Sequence, residues 1–265
     1  MKVLFIGDIV GKPGRQAVAT LLPSLRKKYE IELTIANAEN AAGGFGITPS
    51  VAEELFRVGI DLLTSGNHIW DKKEAEPYIA TERRLLRPAN YPEHAPGTGV
   101  TLWERGRHRV GVINLQGRVF MPILDCPFKV AEHQIALLKQ ATDLILIDFH
   151  AEATSEKQAL ARFVDGRVSA LIGTHTHVQT ADEQILPGGT AYISDVGMTG
   201  PTDSVIGMEP SDVIGRFLTQ MPSKFRVAKG TPVLSAVVLD LEEESGKAKA
   251  ITRLQLREEG FGAFV

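Results

Sequence analysis

The sequence holds one cysteine, Cys126, in 265 residues. A single thiol forms no internal disulfide and no thiolate metal cage, so a metal here must be bound by histidine, carboxylate or amide. Long apolar runs are also missing. The N-terminal stretch Val3-Leu4-Phe5-Ile6 stops at Gly7-Asp8, short of the roughly 7–15 residues of a secretory core and the roughly 20 of a membrane span. The cytoplasm is therefore the expected compartment, with no membrane partner. A charge excess is lacking too: Lys and Arg total 29, Asp and Glu 32, and the formal net charge is −3. No strong nucleic-acid surface is expected from that balance. With no repeat, low-complexity tract or Ser/Pro-rich linker, a single domain over 1–265 is expected. Apolar residues reach 43%, enough to bury a core without staples and to exclude a disordered chain.

Against that lone thiol stand seven histidines, and the pattern of elements says where they fall. Buried-strand runs at 2–7, 33–38, 61–64, 144–149 and 168–173 alternate with helical patterns at 13–28, 49–58, after Trp70 and at 155–164. This alternation predicts an α/β protein with mostly parallel inner strands. Runs at 99–104, 109–115, 190–194, 232–241 and 247–256 read as further strands without long helices between most of them. Glu242-Glu243-Glu244-Ser245-Gly246 reads as a hairpin turn between the last two. The sheet is thus mixed, or two sheets stack between helices.

In α/β sheets, ligands gather at the carboxyl ends of strands. Asp8 follows the first run, Glu39 and Asn40 the second, and Asn67 and His68 the third. His150 follows the run at 144–149, and His175 and His177 follow 168–173. Taken singly, each has a plain alternative: Asp8 as a turn former, Asn67-His68 as a helix cap, His150 as a core histidine. His175 and His177 would point to opposite faces of a regular strand, whereas at a strand end they can straddle adjacent metal ions. Together, five strand ends bring oxygen or imidazole donors to one rim. His94, His108 and His133 lie in polar sequence and read as surface residues. Gly7-Asp8-Ile9-Val10-Gly11-Lys12-Pro13 is not a Walker loop, because the spacing is one residue short and Pro13 stands where Ser or Thr is needed.

The order of these residues resembles the calcineurin-like metallophosphoesterases, and within them the YmdB-type phosphodiesterases. The shared phrases are Gly7-Asp8-Ile9-Val10-Gly11, Asn37-Ala38-Glu39-Asn40-Ala41-Ala42-Gly43-Gly44, Thr64-Ser65-Gly66-Asn67-His68, Arg87-Pro88-Ala89-Asn90-Tyr91-Pro92, Asn114-Leu115-Gln116-Gly117-Arg118 and Gly173-Thr174-His175-Thr176-His177. The usual Asp-x-His of the wider superfamily is Asp8-Ile9-Val10 here, and the usual bridging Asp is Glu39, followed by Asn40. Both departures belong to the YmdB-like branch. The resemblance implies a layered sandwich of mixed β-sheets flanked by α-helices, the calcineurin-like metallophosphoesterase fold.

It also implies a dinuclear site. Asp8, Glu39, Asn40 and His177 would hold one ion, and Glu39, Asn67, His150 and His175 the other. Iron is the foremost metal, with manganese or zinc as alternatives. Two carboxylates against two divalent ions leave positive charge to attract a phosphodiester. In such sites the ions lie about 3.5–4 Å apart, close enough for a bridging hydroxide to attack phosphorus. His68, beside a ligand but by analogy not one itself, is the implied general acid. The implied substrates are small cyclic nucleotides, 2′,3′-cyclic foremost and 3′,5′-cyclic AMP as a further one. A phosphomonoesterase, an RNA-directed nuclease or a regulatory scaffold with a structural metal remain alternatives.

Substrate-contact residues are not identified by the pattern. Glycines 43, 44 and 46 permit a close backbone approach or simply form a loop. Arg87 and Arg118 are phosphate-contact candidates or solvated surface arginines. Phe45, Trp70, Tyr91 and Phe120 could stack a base or belong to the core. Val119-Phe120-Met121-Pro122-Ile123-Leu124 is an apolar run, expected to bury against its own core, with a second copy of the chain as the other candidate partner. Cys126 reads as a small buried residue.

Overall fold

Alternation along one strand sets the layering. In β1 (Lys2–Ile6), Val3 and Phe5 enter one apolar cluster, while Leu4 and Ile6 enter another on the opposite face, as the two-residue period of a strand requires. The computed structural model describes residues 1–257. Among them the chain continues with β2 (Asp8–Ile9), α1 (Gly11–Tyr29), β3 (Leu33–Asn37), α2 (Pro49–Arg57), β4 (Leu62–Thr64), α3 (Ala75–Ile79), β5 (Val100–Arg105) and β6 (His108–Gln116). Then follow α4 (Pro127–Leu138), β7 (Ile145–His150), α5 (Thr154–Val164), β8 (Ala170–Thr174), β9 (Gln184–Ile185) and β10 (Ala191–Ile193). The remainder is β11 (Met198–Pro201), α6 (Pro210–Thr219), β12 (Pro232–Leu241) and β13 (Ala248–Arg257).

Two mixed sheets result. One has the order β2-β11-β12-β1-β3-β4, with β13 on β12; the other runs β5-β6-β7-β8-β10-β9. In the first, β1 pairs antiparallel with β12 and parallel with β3. In the second, β6, β7, β8 and β10 are mutually parallel, and β5 and β9 run antiparallel at its edges. Phe5, Leu33 and Ile35 of the first sheet meet Val112, Leu146 and Ile172 of the second in one buried layer. Ala17, Val18, Leu21, Leu22 and Leu25 of α1 cover the outside of the first sheet; their spacing is that of one helix face. Ile135 of α4 and Leu160 and Val164 of α5 cover the outside of the second, against Ile145, Ile147 and Phe149. The layered sandwich expected from the sequence is therefore the observed fold.

Three expectations change. Two helices, α4 and α6, occupy segments that read as connections between strands. Each opens with a proline in its first turn, Pro127 and Pro210, a start signal that also occurs in turns. Most of the apolar run at 119–124 does not bury against the core: Phe120 and Ile123 are each 90% exposed, while Met121 packs partly buried against the cluster under α4 and α5. His108 is not a plain surface residue, since its two ring nitrogens lie 2.9 Å from Glu32 and 3.0 Å from Glu243 and cross-brace β6. The hairpin turn between β12 and β13 forms as expected, with Gly246 at φ 69° and its N–H donating to the Glu242 carbonyl at 2.9 Å. No helix among the described residues is long and apolar enough to cross a membrane.

Phe5 is 1% exposed between the sheets. Phe5→Ala is expected to cost about 3–5 kcal/mol in urea unfolding. A loss below about 1 kcal/mol would show that this layer does not hold the sheets together.

Candidate metal centre

Strands from both sheets end at a shared rim. β2 begins with Asp8, Glu39 and Asn40 follow β3, Asn67 and His68 follow β4, His150 closes β7, and His175 and His177 follow β8. Glu39 Oε1 lies 2.9 Å from His150 Nε2, which in turn lies 3.0 Å from His175 Nδ1. One ligand atom from each of Glu39, His150 and His175 lies within 4.8 Å of the other two, forming a candidate metal-binding group. The His175 N–H donates to Asp8 Oδ2 at 3.3 Å. Asp8 Oδ1 is 3.8 Å from His150 Nδ1 and 4.0 Å from His177 Nε2. The His68 N–H donates to the other oxygen of Glu39 at 3.1 Å. Asn40, His68 and His177 line the same cavity as Glu39 and His175.

The chain is bent to allow this. His175 and His177 have φ of 101° and 67°, conformations costly for residues with a side chain. The bend after β8 lets both rings line one cavity instead of pointing to opposite faces of a strand. Asp195 clamps the bend from behind, accepting from the Thr176 N–H at 3.0 Å, the Thr176 hydroxyl at 2.8 Å and Lys157 Nζ at 2.8 Å. Lys157 and Asp195 are 1% and 2% exposed. Such a buried pair adds little net stability but penalises any arrangement that separates it. His177 Nδ1–H donates to the Ile206 carbonyl at 2.9 Å, leaving Nε2 as the free lone pair.

Beneath His150, the Thr174 hydroxyl donates to Asp148 at 2.7 Å and lies 2.9 Å from His150 Nδ1. This contact holds Nδ1 protonated and aims Nε2 at the cluster. Asn37 donates to Asp148 at 3.0 Å. Asn114 accepts from the Ser65 N–H and donates to the Ser65 carbonyl, both at 3.0 Å, tying β6 to the loop that carries Asn67 and His68. At Gly66 an added Cβ would lie 2.1 Å from the His150 ring and 2.4 Å from Glu39 Oε2, so only glycine fits. Gly43, Gly44 and Gly46 take φ of 71°, 96° and 72° in the preceding loop, and an added Cβ would lie 2.9 Å from Met208 and Val227 at Gly44 and 2.9 Å from Lys72 at Gly46.

Packing these charges together shifts them strongly. Burial pulls the His150 imidazolium down, but Glu39 and Asp8 outweigh it and push the group up to about 9. Burial pushes Glu39 up, and His150 beside it overturns that, holding the carboxyl at about 2. Burial and the neighbouring His150 charge press His175 down to about 3. Burial raises Asp8, and lifts Asp148 to about 6.

The donor set fits metal ions on an independent ground. Asp8 Oδ1, Asn40 Oδ1 and Asn67 Oδ1 are buried acceptors without a hydrogen-bond partner. Orphaned oxygens of this kind are costly unless a cation or water takes their lone pairs. Imidazole, carboxylate and amide without thiolate suit iron, manganese or zinc.

His68 Nδ1 lies 2.9 Å from Asp71 Oδ2, and the Phe45 ring meets His68 edge-on at 5.1 Å. Asp71, Asp148, Lys157 and Asp195 were not singled out by sequence reasoning. Asp71 carried a usable signal, standing one helical turn after His68, whereas the Lys157–Asp195 pair spans 38 residues and had none. Of the contact candidates, Phe45 lines the cavity. Arg87 is neither a surface residue nor a phosphate ligand: it is buried, and its guanidinium donates to the Pro88, Ala95 and Pro96 carbonyls. Trp70 packs edge-on against Tyr91 at 5.7 Å. Arg118, Phe120 and Cys126 are absent from the cavity lining, and an Arg118 guanidinium nitrogen lies 3.4 Å from Cys126 Sγ.

Two stacked mixed sheets between helices, with this donor rim at the strand ends, are the metallophosphoesterase fold. A solved structure from Mycoplasma pneumoniae, described as a novel phosphatase, superposes with a TM-score of 0.92 at 36% identity, covering 97% of this chain and 93% of that one. One from Thermus thermophilus, described as a hypothetical protein, gives 0.91 at 44% identity over 97% and 100%. The family described as YmdB-like protein matches residues 4–254, and this chain belongs to it. A relative from Bacillus subtilis (strain 168), the 2′,3′-cyclic-nucleotide 2′-phosphodiesterase, is 51% identical over 259 residues, 98% of each chain.

Thr174→Val removes the hydroxyl that orients His150. Metal affinity measured by chelator competition is expected to fall about 10–100-fold in a folded protein. Unchanged affinity would mean that the ring is held without Thr174.

Proposed function

We propose that this chain hydrolyses 2′,3′-cyclic nucleotides, opening the bond from phosphorus to the 2′ oxygen, with 3′,5′-cyclic AMP as a further substrate. The observation that carries the reading is that three unpartnered buried oxygens, on Asp8, Asn40 and Asn67, stand at the same strand-end rim as the Glu39, His150 and His175 group, on a chain 51% identical to a 2′,3′-cyclic-nucleotide 2′-phosphodiesterase. Two metal ions, iron foremost and manganese or zinc as alternatives, are assigned to Asp8, Glu39, Asn40 and His177 and to Glu39, Asn67, His150 and His175, with Glu39 shared. When bound, the ions supply positive charge and acidify water for attack on phosphorus.

The remaining chemistry belongs to side chains. Two carboxylates, Asp8 and Glu39, do not neutralise two divalent ions, so an anionic diester is drawn in locally despite a chain charge of −3. Ring opening makes the 2′ oxygen a leaving group in need of a proton. His68 delivers it: Asp71 engages Nδ1 and the residue lines the cavity, so Nε2 is the nitrogen left to hand over a proton.

Glu152 favours a diester over a monoester. Its carboxylate lies 3.0 Å from His175 Nε2 and lines the cavity, where it repels a monoester dianion more than a diester monoanion. A long RNA is disfavoured because Arg216 is the one Lys or Arg among the lining residues. The intact donor set and His68 also weigh against a purely structural site.

His68→Ala is expected to lower turnover of 2′,3′-cyclic AMP about 10²–10⁴-fold with both metals retained; loss of an ion in that variant would make His68 a ligand instead. Asp8→Ala and His175→Ala are expected to lose metal and activity together, read by elemental analysis and turnover on one sample. Faster turnover of p-nitrophenyl phosphate or a short RNA than of 2′,3′-cyclic AMP would overturn the substrate assignment.

A further inference from the structure

The cavity extends well past the metal donors. From His175 and His177 it runs over residues 205–208 onto α6, enclosing about 610 Å³, within the roughly 300–1,000 Å³ of small-ligand clefts. A phosphodiester needs only the donor end. The rest is walled by Phe45, Met208, Val213, Phe217 and Phe225, which offer nothing to a phosphate.

The helix wall is ordered by sequence spacing. Val213, Arg216, Phe217 and Gln220 line the cavity, and steps of three and four residues place them on one helix face. Phe225 folds back against that face, its ring centre 5.3 Å from the Arg216 guanidinium. Arg226 holds the return in place, its side chain pairing with Asp212 at 2.6 Å and its N–H donating to the same carboxylate at 3.1 Å. Phe217 is nonetheless 75% exposed, a large ring bordering the cavity with most of its surface uncovered. Gln220, in a left-handed conformation at the helix end, donates from Nε2 to the Phe217 carbonyl at 3.1 Å, which leaves Oε1 as an acceptor beside the ring.

We propose that this face of α6 is the nucleobase subsite, with the base stacked on Phe217 and its polar edge met by Arg216 and Gln220. The assignment rests on the cyclic-nucleotide reading above and adds what that reading lacks, a place for the part of the substrate that is not phosphate. Every base presents a π face to an aromatic ring, so stacking binds nucleotides of any sequence, and purines offer the larger face. The guanidinium and amide at the edge select by hydrogen bonding.

The test compares kcat/KM for 2′,3′-cyclic AMP with that for glycerol 1,2-cyclic phosphate, a cyclic diester without a base. Phe217→Ala is expected to lower the ratio of the two about ten-fold, and Phe217→Trp to preserve it. Leu218→Ala, on the neighbouring exposed side of the helix, is expected to leave the ratio unchanged. A loosened helix would slow both substrates alike, so an unchanged ratio in Phe217→Ala, with the wild type active on both, overturns the subsite alone. Wild-type protein that cleaves glycerol 1,2-cyclic phosphate but not 2′,3′-cyclic AMP overturns the cyclic-nucleotide reading and the subsite with it.

Discussion

Glu39 and His150 meet across the seam between two sheets. Glu39 follows β3 in the first sheet and His150 ends β7 in the second, and their side chains approach to 2.9 Å with the residues almost wholly buried. The apolar layer around Phe5, Ile35 and Leu146 brings the strand ends to the same rim, and this contact then decides what the rim can do. A carboxylate and an imidazole forced together without water hold each other charged, which is why Glu39 is driven down and His150 up, and a cation bound at this pair would displace the Nε2 proton. The other donors are arranged around that pair. His68 reaches Glu39 through its backbone, His175 reaches His150 through its ring, and Asp8 reaches His175 through the chain.

Such a concentration of polar groups is held in place from behind. The turn carrying His175 and His177 has a backbone conformation few side-chain-bearing residues adopt. The Lys157–Asp195 pair, together with Thr176, fixes that turn on one side, and Thr174 and Asp148 fix His150 on the other. None of these supporting groups needs to touch a substrate. Their effect is preorganisation: the donors are aimed before a cation arrives, so little reorganisation is left for the reaction itself.

Much of the rim was legible in the sequence because strand periodicity marks where a strand stops, and the chemistry-bearing residues stand immediately after. Asp8, Glu39, Asn40, Asn67, His68, His150, His175 and His177 all fall at such stops. Their meeting at one place needed the topology, since Glu39 and His150 belong to different sheets. What escaped was of two kinds. Partners such as Lys157 and Asp195 are joined only by tertiary packing, and no local pattern marks them. The α6 segment does carry a one-sided apolar stripe, Val213, Ile214, Phe217 and Leu218, but it is only ten residues long and stands between Pro210 and Pro222, residues that equally mark turns. Arg87 shows the converse: a charge read as solvated, or as a phosphate contact, serves instead to satisfy three backbone carbonyls under a loop.

A rim proposed to hold two metal ions and to use them on a cyclic phosphodiester makes two linked demands, on metal content and on product. They are tested most directly by counting metal per chain in a purified sample and following 2′,3′-cyclic AMP by phosphorus NMR in that same sample. Two ions per chain and conversion to the 3′-phosphate are expected, with both lost on chelation and both restored on adding metal back. Hydrolysis that persists in metal-free protein, or a full complement of metal without hydrolysis, would contradict it.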